Sequence, residues 1–348
     1  MRRRLLVGPG AFVAVLVLAT VLSTALPLGD QARAERALER AAPTTSAPEP
    51  TTTSTESTTT VPPTTTVPPT TTTTAPAPRF TTEPYRGLGA WLDVYDWSST
   101  YAKYGPALEF DAVDQLAAQG VQTLFIQASK WDAPTDVVDP DRLLGFIGRA
   151  HEHGISVVGW YLPTLEDPAR DLQRLLAVAA LPVDGLAVDI EARNVGDVAE
   201  RNRRLVGLSQ SLRAALPGEV IGAIPMEPVL MEDVNPSFWP GFPWAEIAPS
   251  YDVWLPMAYW TNRKPGSPWR DAHAYTVGNI DRLRERIGQP GAPVHVLGGI
   301  GDQTTVADLQ GFRLAAAERG AIGGSIYDFR TTAAPHWPEL LPFRDLRP

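Results

Sequence analysis

The chain has 348 residues, a formal net charge of −9 and no cysteine. Without thiols there are no disulfides, no thiol catalysis and no cysteine-ligated zinc, and the acidic balance argues against nucleic acid, whose phosphates need clustered Lys and Arg. Apolar residues make up 44% of the chain and include ten tryptophans, enough for one large core.

Arg2-Arg3-Arg4 precedes an apolar run from Leu5 to Leu28, broken only by Gly8-Pro9-Gly10. A basic flank before an apolar stretch marks an export segment, and the part from Ala11 onward approaches the length of a membrane span. Ala32-Arg33-Ala34 offers an A-x-A-like cleavage site, so residues 1–34 read equally as a cleaved signal peptide or a retained anchor. Either way the basic end stays inside and the rest is exported, placing the remaining chain outside the cytoplasm with membrane contact confined to residues 5–28. Residues 35–78 read as a linker. From 43 onward it is almost wholly Thr, Pro, Ser and Ala, with Val-Pro-Pro-Thr-Thr-Thr repeated at Val61–Thr66 and Val67–Thr72. Such a segment cannot bury enough surface to fold, and its prolines keep it extended as a stalk.

Residues 79–348 alternate short apolar runs with amphipathic stretches, the pattern of repeated strand–helix units and a parallel sheet. Strands are expected at Gly87–Val94, Val121–Gln127, Ile155–Tyr161, Gly185–Ile190, Val220–Pro225, Val253–Ala258, Val294–Leu297 and Gly324–Tyr327. Helices are expected near 111–119, 141–152, 168–180, 198–215, 272–287 and 306–319, with Asp167 capping the third and Gly154 stopping the second. A long loop rich in Trp and Pro, containing Trp239 and Trp244, follows the fifth strand. Eight units in this length predict a single α/β domain, a (β/α)8 TIM barrel. A doubly wound sheet would show a Gly-rich phosphate loop after the first strand, where this chain has Trp91-Leu92-Asp93-Val94-Tyr95-Asp96-Trp97.

Barrel chemistry sits at the C-terminal ends of the strands. The residues expected there are Asp93, Tyr95 and Asp96, then Gln127, Ser129 and Trp131, Trp160 and Tyr161, Asp189 and Glu191, Glu227, Met257, Tyr259 and Trp260, Asp302, and Tyr327 and Asp328. This predicts an acidic, aromatic rim with almost no Lys, Arg or His. Carboxyls supply acid and base groups, and flat aromatic rings stack on the apolar faces of sugars. Asp189 and Glu191 lie two apart on a strand and project to one side. Close carboxyls cannot easily both ionise, so one keeps its proton and can act as an acid. Glycosidic cleavage needs such a donor and a second group at the oxocarbenium-like centre. The bland alternative is that one of the pair caps the next helix or pairs with Arg193.

The chain resembles the family 18 glycoside hydrolases, the chitinase-like barrels. Their strand-four motif D-G-x-D-x-D-x-E matches Asp184-Gly185-Leu186-Ala187-Val188-Asp189-Ile190-Glu191, with Ala187 at the middle aspartate. Their M-x-Y-D/N is echoed by Met257-Ala258-Tyr259-Trp260, with Trp260 at the last position. The resemblance implies that Glu191 protonates the glycosidic oxygen, Asp189 orients an attacking N-acetyl group and Tyr259 hydrogen-bonds its oxygen. The chain also resembles family 25, the muramidase-like barrels, through Leu92-Asp93-Val94 and the same D-x-E, which would make Asp93 a third acidic participant. Both imply an N-acetylhexosamine-containing glycan polymer as substrate, with Trp97, Trp131, Trp160, Tyr161, Gln127, Glu227, Met257, Trp260, Tyr327 and Asp328 as glycan contacts. No metal or other cofactor is expected, and the protein is expected to be a monomer. The alternative is a non-catalytic, glycan-binding or wall-associated barrel.

Two other signals read as structural. His151 and His153 face different ways on a helix and suit its end rather than a zinc site. Gly298-Gly299-Ile300-Gly301 reads as a tight turn, and no G-x-S-x-G elbow supports serine-hydrolase chemistry.

Overall fold

In the computed structural model, residues 78–103 and 105–346 are described. The expected export segment 1–34 and the stalk up to residue 77 lie outside the described residues.

The strands are β1 (Gly87–Leu92), β2 (Thr123–Gln127), β3 (Ser156–Tyr161), β4 (Gly185–Ile190), β5 (Ile221–Pro225), β6 (Val253–Trp254), β7 (His295–Ile300) and β8 (Gly323–Tyr327). They form one parallel sheet in the order β6-β5-β4-β3-β2-β1-β8-β7. Single bridges from Trp254 to Val294 and from Met257 to Leu297 close it between β6 and β7. The closure is thin and β6 shorter than expected because Pro256 has no N–H; its carbonyl still accepts from Leu297 N at 3.2 Å.

Between the strands run α1 (Val94–Trp97), α2 (Asp111–Ala118), α3 (Pro140–Glu152), α4 (Pro168–Ala179), α5 (Val198–Ala215), α6 (Trp244–Ile247), α7 (Ala272–Arg286) and α8 (Val306–Glu318), with α9 (Trp337–Leu340) near the end. Their starts are written in short polar side chains. Asp167, Asp197 and Asp271 accept from the backbone N–H three residues on at 3.1, 3.1 and 2.7 Å, and Thr305 with Asp308 forms a reciprocal capping box on α8. Gly154 ends α3 at φ +68°, as expected. His151 and His153 pair with Asp184 and Asp114, the helix-end role expected of them. Trp239 and Trp244 are buried in the core.

The barrel interior is filled. Trp91 stacks on Phe125 with ring centroids 4.4 Å apart, and its Nε1 donates to Ser325 Oγ at 2.7 Å. His295 is fully buried, and burial drives its pKa down to about 4. It is therefore neutral, and Tyr85 O, 2.8 Å from Nδ1, can only accept. Nδ1 thus carries the proton and Nε2 accepts from Ser325 at 2.9 Å. Glycines make room for this layer: a Cβ on Gly323 would meet His295 Nδ1 at 2.5 Å, and one on Gly89 would meet Phe125 at 2.6 Å.

Candidate active site

Along β4 the alternation of a strand puts Ala187, Asp189 and Glu191 on the face lining the barrel. Ala187 is fully buried opposite Trp160 in register and offers no polar group. Asp189 above it is buried, and its Oδ1 has no hydrogen-bond partner. Burial, then the charge of Glu191, pushes the Asp189 carboxyl well above the usual range. Glu191 is half-buried at the strand end. Burial raises its pKa to about 7, the charge of Glu227 adds to this, and the guanidinium of Arg193 opposes it. That guanidinium lies 4.4 Å over the Phe238 ring, while α5 is capped by Asp197. Neither carboxyl is spent as a helix cap.

Tyr259 follows the last closure point of the barrel. Burial first, then the charges of Glu191, Asp189, Glu227 and Asp328, hold its phenol well above its ordinary pKa. It is a hydroxyl donor at working pH, within electrostatic reach of both carboxyls.

The other expected contacts divide. Trp260 is fully buried, 5.1 Å from Phe312 of α8, and does not reach the mouth as expected. A 3₁₀ turn at Trp260–Asn262 throws the indole outward over Gly298 and Gly299, where an added Cβ would come within 2.8 Å of it. Trp97 is likewise buried, donating to Gln127 O at 3.1 Å. Glu227 is fully buried, accepting from Tyr275 OH at 2.7 Å with Arg263 at 3.9 Å, so it acts on the site through charge and not through contact. Gln127 accepts from Val94 N and donates to Ser129 O. Tyr161 donates to Asp171 at 2.6 Å, and Met257 forms wall between β5 and β7. Trp131, Trp160, Tyr327 and Asp328 remain at or just under the opening.

A second acidic group lies at the ends of β1 and β8. Asp93 accepts from Tyr95 N and from Tyr327 OH, both at 2.7 Å. Asp96 accepts from Arg330 Nε at 2.8 Å, leaving Oδ2 without a partner, and Asp328 accepts from Thr331 N at 2.9 Å. Oxygens of the three carboxyls lie within 4.8 Å of one another, the one grouping among the described residues with spacing fit for a metal ion. Burial, then Asp93 and Asp328, raises Asp96 to about 8 against Arg330; burial, then Asp93, raises Asp328 to about 6. Tyr327 joins the two acidic groups, its ring 6.1 Å from that of Tyr259. Arg330, Lys130 and Arg193 correct the expectation of a rim almost free of basic groups. Arg330 lies three residues past β8, close enough to a strand end to have been read as rim.

No family model and no curated protein matches the sequence. Eight parallel strands around a packed interior define the class, a (β/α)8 TIM barrel. Within that class the fold is that of the family 18, chitinase-like barrels. The chain is similar to a GH18 chitinase from Cycas revoluta solved in complex with (GlcNAc)4, with a TM-score of 0.54 and 13% identity over 75% of this chain and 99% of that one. It is similar also to the spore cortex-lytic enzyme SleL of Bacillus cereus, at 0.55 and 10% identity over 74% of each. A β-galactosidase from the psychrophilic Marinomonas ef1 matches at 0.53 and 10% identity over 74% of this chain, which spans 59% of that one. At these identities the likeness is one of fold. The family 25 resemblance rests on the sequence alone.

Proposed function

We propose that the protein is an extracytoplasmic glycoside hydrolase acting on an N-acetylhexosamine-containing glycan, peptidoglycan or chitin-like, with Glu191 as its general acid. The observation that carries this reading is Glu191 itself: a half-open carboxyl at a barrel strand end, its pKa raised to about 7, beside a buried carboxyl with a free oxygen. A group with that acidity still holds a proton near neutrality and can give it to a leaving glycosidic oxygen. Asp189 Oδ1 is free to accept the N–H of a substrate acetamide as its oxygen attacks the anomeric carbon. Positive charge building on that group favours ionised Asp189. The Tyr259 hydroxyl donates to the acetamide oxygen, and Trp160, Tyr327 and Asp328 line the approach. The same structural class includes a chitinase solved with (GlcNAc)4 and a spore cortex-lytic enzyme, which supports this choice of glycan.

Export is supported by Arg2-Arg3-Arg4 and the apolar run to Leu28, and the Thr/Pro-rich linker supports a barrel held away from the membrane. Glu191→Gln should abolish release of reducing ends from N-acetylglucosamine polymer and from peptidoglycan while leaving binding intact; undiminished release rejects the assignment. One observation favours a second reading. Ala187 leaves Asp189 without a polar neighbour below it, which suits a barrel that holds glycan without cutting it; wild-type retention on insoluble glycan with no reducing ends would select it.

A further inference from the structure

Arg201 is 4% exposed and lies in the opening turn of α5, at the end of the barrel that carries Glu191. Among the described residues its side chain makes no hydrogen bond or ion pair, and its buried Nε has no partner. Burial, then the like charge of Arg193, lowers its pKa. A buried guanidinium is costly unless its donors are used. Arg174 of α4, 2% exposed, has the usual remedy: it donates through Nη1 to Thr135 O at 2.7 Å and through Nη2 to Ala133 O at 2.7 Å. Arg201 has no such outlet.

The acids of the same turn are engaged elsewhere. Asp197 accepts from Glu200 N at 3.1 Å, and Glu200 accepts from Arg203 Nη2 and Arg204 Nε, both at 2.6 Å. What Arg201 has instead is a ring. Its guanidinium carbon lies 4.3 Å from the ring centroid of Trp239, and that of Arg193 lies 4.4 Å from the neighbouring Phe238. The shelf is locked: Trp239 Nε1 donates to Asn202 Oδ1 at 2.6 Å, and Asn202 Nδ2 donates to Gly241 O at 2.7 Å. Arg193 is exposed, two residues past Glu191, and its charge reaches that carboxyl. Among the described residues it too has no hydrogen bond. A ring face offsets part of a cation's charge and leaves its N–H fork free, and that fork matches the two oxygens of a carboxylate.

We propose that Arg201 and Arg193 form a subsite for a carboxylate carried by the glycan, close to the bond that Glu191 protonates; the glycan and the bond rest on the function proposed above. A negative group there supplies the acceptors that Arg201 lacks and relieves the repulsion between two neighbouring cations. The chemistry fits the lactyl ether of a muramyl residue freed of its peptide, or the carboxyl of a uronic acid. The subsite therefore selects an acidic wall-type glycan over a neutral chitin-like one.

The test measures binding by titration calorimetry on the full-length protein carrying Glu191→Gln, which removes cleavage. One probe is a tetrasaccharide alternating N-acetylglucosamine and N-acetylmuramic acid with free lactyl carboxyls. The second is the same tetrasaccharide with those carboxyls converted to methylamides, and the third alternates N-acetylglucosamine with glucuronic acid. The muramyl acid should bind about tenfold more tightly than its amide, the worth of one charge-assisted pair. Arg201→Met and, separately, Arg193→Gln at its exposed position should each cut that ratio to less than about threefold and leave the affinity for the amide unchanged. Tight binding of the glucuronic probe widens the subsite to uronic acids; tight binding of the muramyl acid alone restricts it to the lactyl group. Equal affinity for acid and amide, a ratio that survives both substitutions, or no binding of either acid overturns the subsite. Reducing-end release by the otherwise unchanged protein separates the two ideas. An acid preference that depends on Arg201, without hydrolysis, leaves the subsite standing and sinks the catalytic role of Glu191. Hydrolysis of neutral and acidic chains alike, with no acid preference in binding, does the reverse.

Discussion

At the ends of β4 and β5 the carboxyls of Asp189, Glu191 and Glu227 crowd together, and Asp189 Oδ1 and Glu227 Oε2 make no hydrogen bond. At the ends of β1 and β8 the carboxyls of Asp93, Asp96 and Asp328 are as close, yet Tyr95, Tyr327, Arg330 and Thr331 occupy most of their oxygens. An unsatisfied buried polar group costs about 1–3 kcal/mol, so the carboxyls at β4 and β5 carry more of that cost than those at β1 and β8. The satisfied group binds the loop after β8 to the loop after β1 and finishes the barrel seam. Similar residue types, placed at equivalent strand ends, thus divide into a group with two unpartnered oxygens and a group bonded throughout except at Asp96 Oδ2.

The largest expected effect tests the first half of that contrast. Glu191→Gln should lower kcat by roughly 10²–10⁴-fold, the usual contribution of a positioned acid, whereas Asp96→Asn should leave turnover largely unchanged. Matching losses in the two variants, read as reducing ends released, would erase the distinction between the groups.

Next in size is a stability effect on the seam. Arg330→Ala removes the guanidinium bonded to Asp96, whose side chain is 1% exposed against 24% for the arginine. The expected loss is about 2 kcal/mol, below that of a fully buried pair because the arginine is partly wet, and roughly a 5 °C fall in Tm. The pH dependence has a defined sign. Asp96 and Asp328 are held above their unfolded values, so the folded protein binds more protons there than the unfolded chain. Their contribution is present below the unfolded pKa and is lost as pH rises through about 6 and about 8. The Tm of the wild type should drop between those pH values, and Asp96→Asn should flatten the drop. A wild-type Tm that climbs across the same interval would contradict the assignment.

The parts of this contrast that could be read in the sequence are the local ones. Strand β4 and helix α5 fall at the residues that alternation and capping indicate, because Gly185–Val188 is apolar on both faces and Asp197 begins the helix whatever surrounds it. The D-x-E pair needed only strand periodicity and barrel polarity to be placed. Trp260 could not be placed that way. Beside Tyr259 it reads as rim, and its burial depends on Gly298, Gly299 and Phe312, distant in the chain, which leave a slot its own size. Glu227 is a similar case, since a glutamate at a strand end reads as a ligand contact until Tyr275 and Arg263 are seen to enclose it. Arg330 and Arg174 were missed for the same reason: what each guanidinium binds is set by tertiary packing, and their neighbours in sequence carry no sign of it.

The smallest effect probes how Glu191 comes to be an acid at all. A proton donor works only while protonated, so kcat should fall as pH rises through about 7. Burial is the first cause of that raised value and the charge of Glu227 the second. Glu227→Gln keeps an oxygen able to accept from Tyr275 OH and removes only the charge, so the falling limb should move to lower pH while the plateau rate on its acid side is kept. Tyr259→Phe makes the matched control, because it removes a hydroxyl donor and no charge: the plateau should drop about tenfold with the limb in place. If Glu227→Gln leaves the limb where it was, the acidity of Glu191 comes from burial alone, and the crowding of carboxyls that sets this side of the barrel apart would be a matter of packing and not of chemistry.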